Sequence, residues 1–191
     1  MNTKRRFLVN LFLAILFVSS CCLPILSAEK KGAKYLGAKS CKGCHKEQFE
    51  VMSKTKMFKA LEALKTEKAK KINPKAATDT KCLKCHVTGL GKEGGYNPKA
   101  KDEDNANVAF VGCEACHGPG GEYMKIMAKA MPTGSGKYDA EAAKKAGLIA
   151  PSEAVCVKCH NKESPFYKEF KYEKFAKEIY HHNKEHHHEN E

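Results

Sequence analysis

The chain has 191 residues with ten Cys, nine His, no Trp and a formal charge of +12; 29% of residues are charged and 8% aromatic. A charged fraction this high excludes a multi-span membrane protein, and the length fits one domain with tails. The positive charge does not point to nucleic acid. The only arginines are Arg5 and Arg6, whereas bidentate readout of bases and phosphates favours Arg over Lys.

In chain order, Lys4, Arg5 and Arg6 precede an apolar run from Phe7 to Val18, the pattern of an export signal. Two processing sites are open. Cleavage after Ala28 makes residues 1–28 a signal peptide, whereas Val18-Ser19-Ser20-Cys21 reads as a lipoprotein box with a 1–20 signal and an acylated Cys21. Uncleaved anchoring by residues 7–26 is a third reading. Each predicts a periplasmic or otherwise extracytoplasmic protein, with a membrane involved only through the N-terminus. Removing residues 1–28 takes three of the 34 Lys and Arg, leaving 31 Lys against 22 acidic residues, a net of +9.

Cys21 and Cys22 leave with the signal, and the other eight cysteines fall in four copies of one signature. They are Cys41-Lys-Gly-Cys44-His45, Cys82-Leu-Lys-Cys85-His86, Cys113-Glu-Ala-Cys116-His117 and Cys156-Val-Lys-Cys159-His160. C-x-x-C-H is the attachment signature of haem c, in which two thiols take the vinyl groups as thioethers and the adjacent His reaches the iron. Zinc ribbons share the C-x-x-C spacing but place no demand on the next residue; a disulfide framework has no reason to repeat one pentapeptide. Four covalent haems are therefore expected, with His45, His86, His117 and His160 as proximal ligands. Porphyrin then supplies the apolar surface that the sparse aromatics do not. The motif starts lie 41, 31 and 43 residues apart, so no fixed-period repeat is present.

Helical periodicity runs from about Glu47 to Lys71, Tyr123 to Met131, Ala140 to Lys145 and Phe166 to Tyr180. Glycine-rich pieces at 89–95 and 118–121 predict turns beside haems, and residues 97–107 and 132–138 predict exposed loops. No strands are evident. The predicted fold is mainly α: a small multihaem cytochrome c whose helices and loops pack around four covalent haems. The tetrahaem domain spans 29–182, and a His-rich tail spans 183–191.

Each iron has a sixth position, and imidazole is scarce. Outside the four motifs the only His are His181, His182, His186, His187 and His188. Methionine is the other common sixth ligand. Met57 on the first helix and Met127 on the second are the distal candidates, although a Met stripe also packs well against haem edges. The third candidate is His181, with His182 as its rival, at the end of the Tyr172, Phe175 and Ile179 stripe. Zinc or copper binding is an alternative use of the terminal His cluster.

Residues 41–65, 82–96 and 111–120, together with Ser164-Pro165 and the aromatic, Lys-rich run after the fourth motif, resemble the cytochrome c-554 family of tetrahaem electron carriers. The resemblance covers most of residues 33–182. It implies distal His at the positions of Met57 and Met127, where this chain departs from the family, and a retained distal His near His181 or His182. It also implies an open, five-coordinate iron on the second haem.

The expected function is electron transfer between other redox proteins, with a lysine-rich surface docking acidic partners. No nucleophile or acid/base constellation is visible, which favours a carrier over an enzyme. The alternatives are a redox enzyme acting on a nitrogen-oxide or hydroxylamine-type molecule at the open second haem, and a subunit of a larger multihaem assembly.

Overall fold

A computed structural model describes residues 33–130 and 137–179. Its elements are α1 (Ala38–Lys42), α2 (Lys46–Ser53), a 3-10 turn (Met57–Lys59), α3 (Ala60–Leu64), α4 (Glu67–Ile72), α5 (Thr80–Leu83), α6 (Asp102–Asn105), α7 (Cys113–His117), α8 (Tyr123–Ala130), α9 (Ala140–Lys145), α10 (Glu153–Cys156) and α11 (Tyr172–Ile179). There is no strand among the described residues, and no helix exceeds eight residues. The mainly helical expectation holds. No helix among the described residues is long and apolar enough to cross a membrane.

The predicted Glu47–Lys71 helix is broken into four pieces. The first stop is chemical: Ser53 Oγ donates to Glu50 O at 2.9 Å and Thr55 Oγ1 to Met52 O at 2.7 Å, so side-chain hydroxyls take carbonyls at the end of α2. The second is the N-cap of α4, where Thr66 Oγ1 accepts from Ala69 N at 3.3 Å. Phe49 and Leu64 therefore do not share one helical face. The predicted Phe166–Tyr180 helix begins only at Tyr172, because Ser164 holds a turn, its Oγ accepting from Phe166 N at 3.2 Å. The loop expected at 97–107 contains α6 and is clasped by Asn105. That side chain is 3% exposed, accepts from Asn97 N and donates to Asn97 O, both at 2.9 Å.

The protein core is small, as the composition implies. Leu61, Leu64, Ala69, Ala76, Leu83 and Val87 are buried together, with Leu90, Tyr96 and Ala109 packed on them. Leu83, at 0% exposure, lies inside the second C-x-x-C-H motif, so that motif is bolted to the core.

A second organising piece is the extended segment before α1. Tyr35 N donates to Glu93 O at 2.9 Å, Lys34 O accepts from Gly121 N at 2.9 Å and Ala38 N donates to Asn107 O at 3.1 Å. Backbone crowding explains two of the glycines. Gly94 has φ 73° and faces the Tyr35 carbonyl, while Gly118, at φ 79°, faces the Gly147 carbonyl, so a Cβ at either position would collide with backbone. The chain's own backbone makes these close approaches.

Candidate haem-attachment sites

All four motifs fold as single helical turns, which sets the two cysteines of each pair on the same side. His45 N donates to Cys41 O at 2.9 Å, His86 N to Leu83 O at 2.9 Å and His160 N to Cys156 O at 2.9 Å, while α7 is itself the third motif. None of the eight motif cysteines is in a disulfide; Cys44 is exposed and the other seven are half-buried. Among the described residues, no three His, Cys, Asp or Glu side chains gather as they would in a zinc ribbon.

The donor set fits haem c. It offers four thiol pairs, each followed by an imidazole, and the second imidazole is oriented for iron. His86 Nδ1 lies 2.6 Å from Ala60 O; a carbonyl can only accept, so the hydrogen sits on Nδ1 and Nε2 keeps its lone pair for a metal. His160 stacks on Phe170 with centroids 4.6 Å apart, and Phe170 stacks on Phe175 at 5.4 Å. Burial holds His160 below its ordinary value. Around this fourth turn Phe166, Tyr167 and Phe175 are exposed in the polypeptide, apolar surface that a porphyrin would cover.

The turns come together in pairs. The thiols of Cys41 and Cys113 share a hydrogen bond that raises Cys41 and lowers Cys113. Burial, then the neighbouring Cys85, pushes Cys159 up to about 12. Burial, then Cys156, raises Cys116. Motif 1 therefore adjoins motif 3, motif 2 adjoins motif 4, and Cys116 and Cys156 connect the pairs. On the surface, Lys84 Nζ lies 2.5 Å from Glu163 Oε2 and ties motif 2 to the segment after motif 4. In the interior, Thr88 Oγ1 donates to Phe110 O at 2.7 Å and accepts from Gly112 N at 3.0 Å, joining the end of motif 2 to the start of motif 3.

Among the distal candidates, Met57 is half-buried and opens the 3-10 turn. Its carbonyl accepts from Val111 N at 3.1 Å, two residues before Cys113. The next residue, Phe58, stacks on Phe110 with centroids 4.0 Å apart and meets Phe49 edge-on at 5.6 Å. The backbone at Met57 thus adjoins the segment that leads into the third motif. Met127 is half-buried on α8, and Met124, one turn earlier, lies over Gly120. His181, His182, the rest of the terminal His cluster, Cys21 and the signal segment lie outside the described residues.

Sequence reasoning passed over Glu114, Thr88 and Tyr35. Glu114, 2% exposed, accepts backbone hydrogen bonds from Leu36, Gly37 and Gly120. A carboxylate between the two cysteines of one motif, where the other motifs carry Lys, Leu or Val, was the visible signal.

The sequence model described as "Cytochrome c554 and c-prime" matches residues 40–118. Cytochrome c-554 of Nitrosomonas europaea is 34% identical over an alignment 140 residues long that covers 67% of this chain and 58% of that protein, less than two thirds of the relative's length. The reduced-state structure of cytochrome c554 from Nitrosomonas europaea superposes with a TM-score of 0.57 at 31% identity, over 78% of this chain and 80% of that one. With four C-x-x-C-H turns on a helical frame, and a relative this similar over most of a solved chain, the protein belongs to the cytochrome c-554 family.

Proposed function

We propose that this protein is an exported tetrahaem c-type cytochrome that carries electrons between redox partners, with one haem c held covalently at each attachment turn. The pairing of the turns supports this reading most directly: Cys41 with Cys113, Cys85 with Cys159, and Cys116 beside Cys156. Taken along these contacts, the turns run in the order 1–3–4–2, which is not their order in the chain. Bound haem supplies a one-electron Fe(III)/Fe(II) couple at each turn.

The chain's own residues anchor, orient and tune. His45, His86, His117 and His160 are read as proximal ligands, and the Ala60 carbonyl fixes the ring of His86. Met57, Met127 and His181 (or His182) are read as distal ligands, which leaves one iron open; the family resemblance makes it the second. The Val111–Met57 bond and the Phe58–Phe110 stack favour Met57 serving the third turn. Thioether in place of imidazole raises a haem's reduction potential, because sulfur stabilises ferrous iron. Lys42, Lys84 and Lys158 lie exposed inside attachment turns 1, 2 and 4, a placement suited to docking acidic partners close to the haems.

Mass spectrometry of the purified exported protein tests the reading. Four haem additions are expected, and replacing both cysteines of one motif by Ala should remove one. Fewer than four additions in the wild type would overturn the tetrahaem assignment. Carbon monoxide binding to one ferrous haem is expected from the open second site, and failure to bind would remove that part.

A further inference from the structure

The third attachment turn contains a buried charge that haem attachment does not use. Glu114 is one of the two largest fully buried side chains among the described residues. Its Oε1 accepts from Leu36 N at 3.0 Å and Gly120 N at 2.7 Å; its Oε2 accepts from Leu36 N at 3.1 Å and Gly37 N at 2.7 Å. Every contact is a donor, so the group sits as an acceptor-only carboxylate among backbone dipoles. The ion pairs of the described surface, such as Lys65–Glu62 and Lys125–Glu122, lie elsewhere.

The position of this charge is specific. Glu114 lies between Cys113 and Cys116, and its partners Leu36 and Gly37 lead directly into α1, which carries Cys41. Its field reaches both turns. Behind burial at Tyr35 and Tyr123, and behind the shared thiol hydrogen bond at Cys41, Glu114 raises all three groups; it also pushes Cys113 upward, against the lowering by that bond. Coulomb interaction in such a site is weakly screened by salt, unlike that of the exposed lysines.

We propose that Glu114 sets potential: its buried negative charge disfavours an added electron at the haems carried by the first and third attachment turns and holds their midpoints down. The inference rests on the tetrahaem reading. The balance is simple: one electron arrives at iron from an external reductant, and no bond forms or breaks. Where Met57 serves the third turn, the effect opposes that of its thioether, so charge and ligand act on that midpoint in opposite senses.

The test is a spectroelectrochemical titration of the holoprotein carrying Glu114→Gln, beside Glu114→Asp and the exposed control Glu122→Gln, with haem content checked by mass. Glu114→Gln should raise two midpoints by about a tenfold change in the reduced-to-oxidised ratio at fixed potential, about 59 mV for one electron. The other two should move much less. Glu114→Asp keeps the charge and should leave all midpoints near wild type, as should Glu122→Gln. Unmoved midpoints in a fully loaded Glu114→Gln protein overturn the inference. Should that variant fail to load, a tenfold shift in Glu114→Asp overturns it instead. Absence of haem from the wild type would refute the tetrahaem reading, a result distinct from either.

Discussion

Leu83 and Val157 occupy the same place in two copies of one signature, the residue after the first cysteine, and differ in what surrounds them. Leu83 is 0% exposed and sits in the core with Leu61, Leu64 and Val87, whereas Val157 is 39% exposed beside the fourth turn. Leu83→Ala removes three buried carbons and leaves a cavity, and α5 is too short to move inward without dragging Cys82 and Cys85 with it. Core Leu→Ala changes cost roughly 2–5 kcal/mol, and full burial puts this site near 3–4 kcal/mol. Val157→Ala removes partly wet surface and should cost less than about 1 kcal/mol. In a chain of this size the Leu83 cost lowers Tm by roughly 10 °C. The assay is urea unfolding of each holoprotein, followed together by far-ultraviolet circular dichroism and Soret absorbance. Equal losses at the two positions, or a loss below about 1 kcal/mol for Leu83→Ala, would refute the assignment of motif 2 to the core.

Three further outcomes follow from particular contacts. Thr88→Val keeps the side-chain shape but strands Phe110 O and Gly112 N in the interior, and should cost about 2–3 kcal/mol in the same urea assay; a loss under about 0.5 kcal/mol would mean the two groups find other partners. Lys84 holds Glu163 below its ordinary carboxylate value, so this contribution is present above that value and is lost as pH falls through the lowered one. Glu163 holds Lys84 above its ordinary value, so the contribution is also lost as pH rises through the raised lysine value. The stability difference between wild type and Lys84→Ala should therefore be flat near neutrality, vanish at both extremes and shrink with salt; a difference that persists in strong acid would contradict the ion-pair account. Finally, ferric protein should show the weak red-end sulfur-to-iron band of His/Met haem, and Met57→Ala should diminish it. A wild-type spectrum without that band, fitting only bis-His or high-spin haem, would rule out thioether ligation.

The chemistry was legible in the sequence because it is local. A C-x-x-C-H turn needs five consecutive residues, so Cys82 to His86 declares its purpose without reference to any other part of the chain. The helical character was legible for the same reason, since periodicity is a short-range property. Helix ends were less so. The break after Ser53 depends on which hydroxyls turn back onto carbonyls, and the late start at Tyr172 on a turn nucleated by Ser164, both choices that periodicity does not register.

Composition and motif spacing determined the cofactor class, the small protein core and the scarcity of imidazole that makes Met57 and Met127 matter. Tertiary structure alone decided which motifs are neighbours. Cys41 lies against Cys113 and Cys85 against Cys159 because long-range ties, from Glu114 to Leu36 and Gly37, from Lys84 to Glu163 and from Thr88 to Gly112, close loops of tens of residues. The sequence contains the partners of each tie but not the pairing, because the free energy of a pairing depends on everything else that packs around it. Leu83, Glu114 and Val157 make the point together: one position in one signature holds the core, a buried charge and a wet surface in turn, and only the surroundings distinguish them.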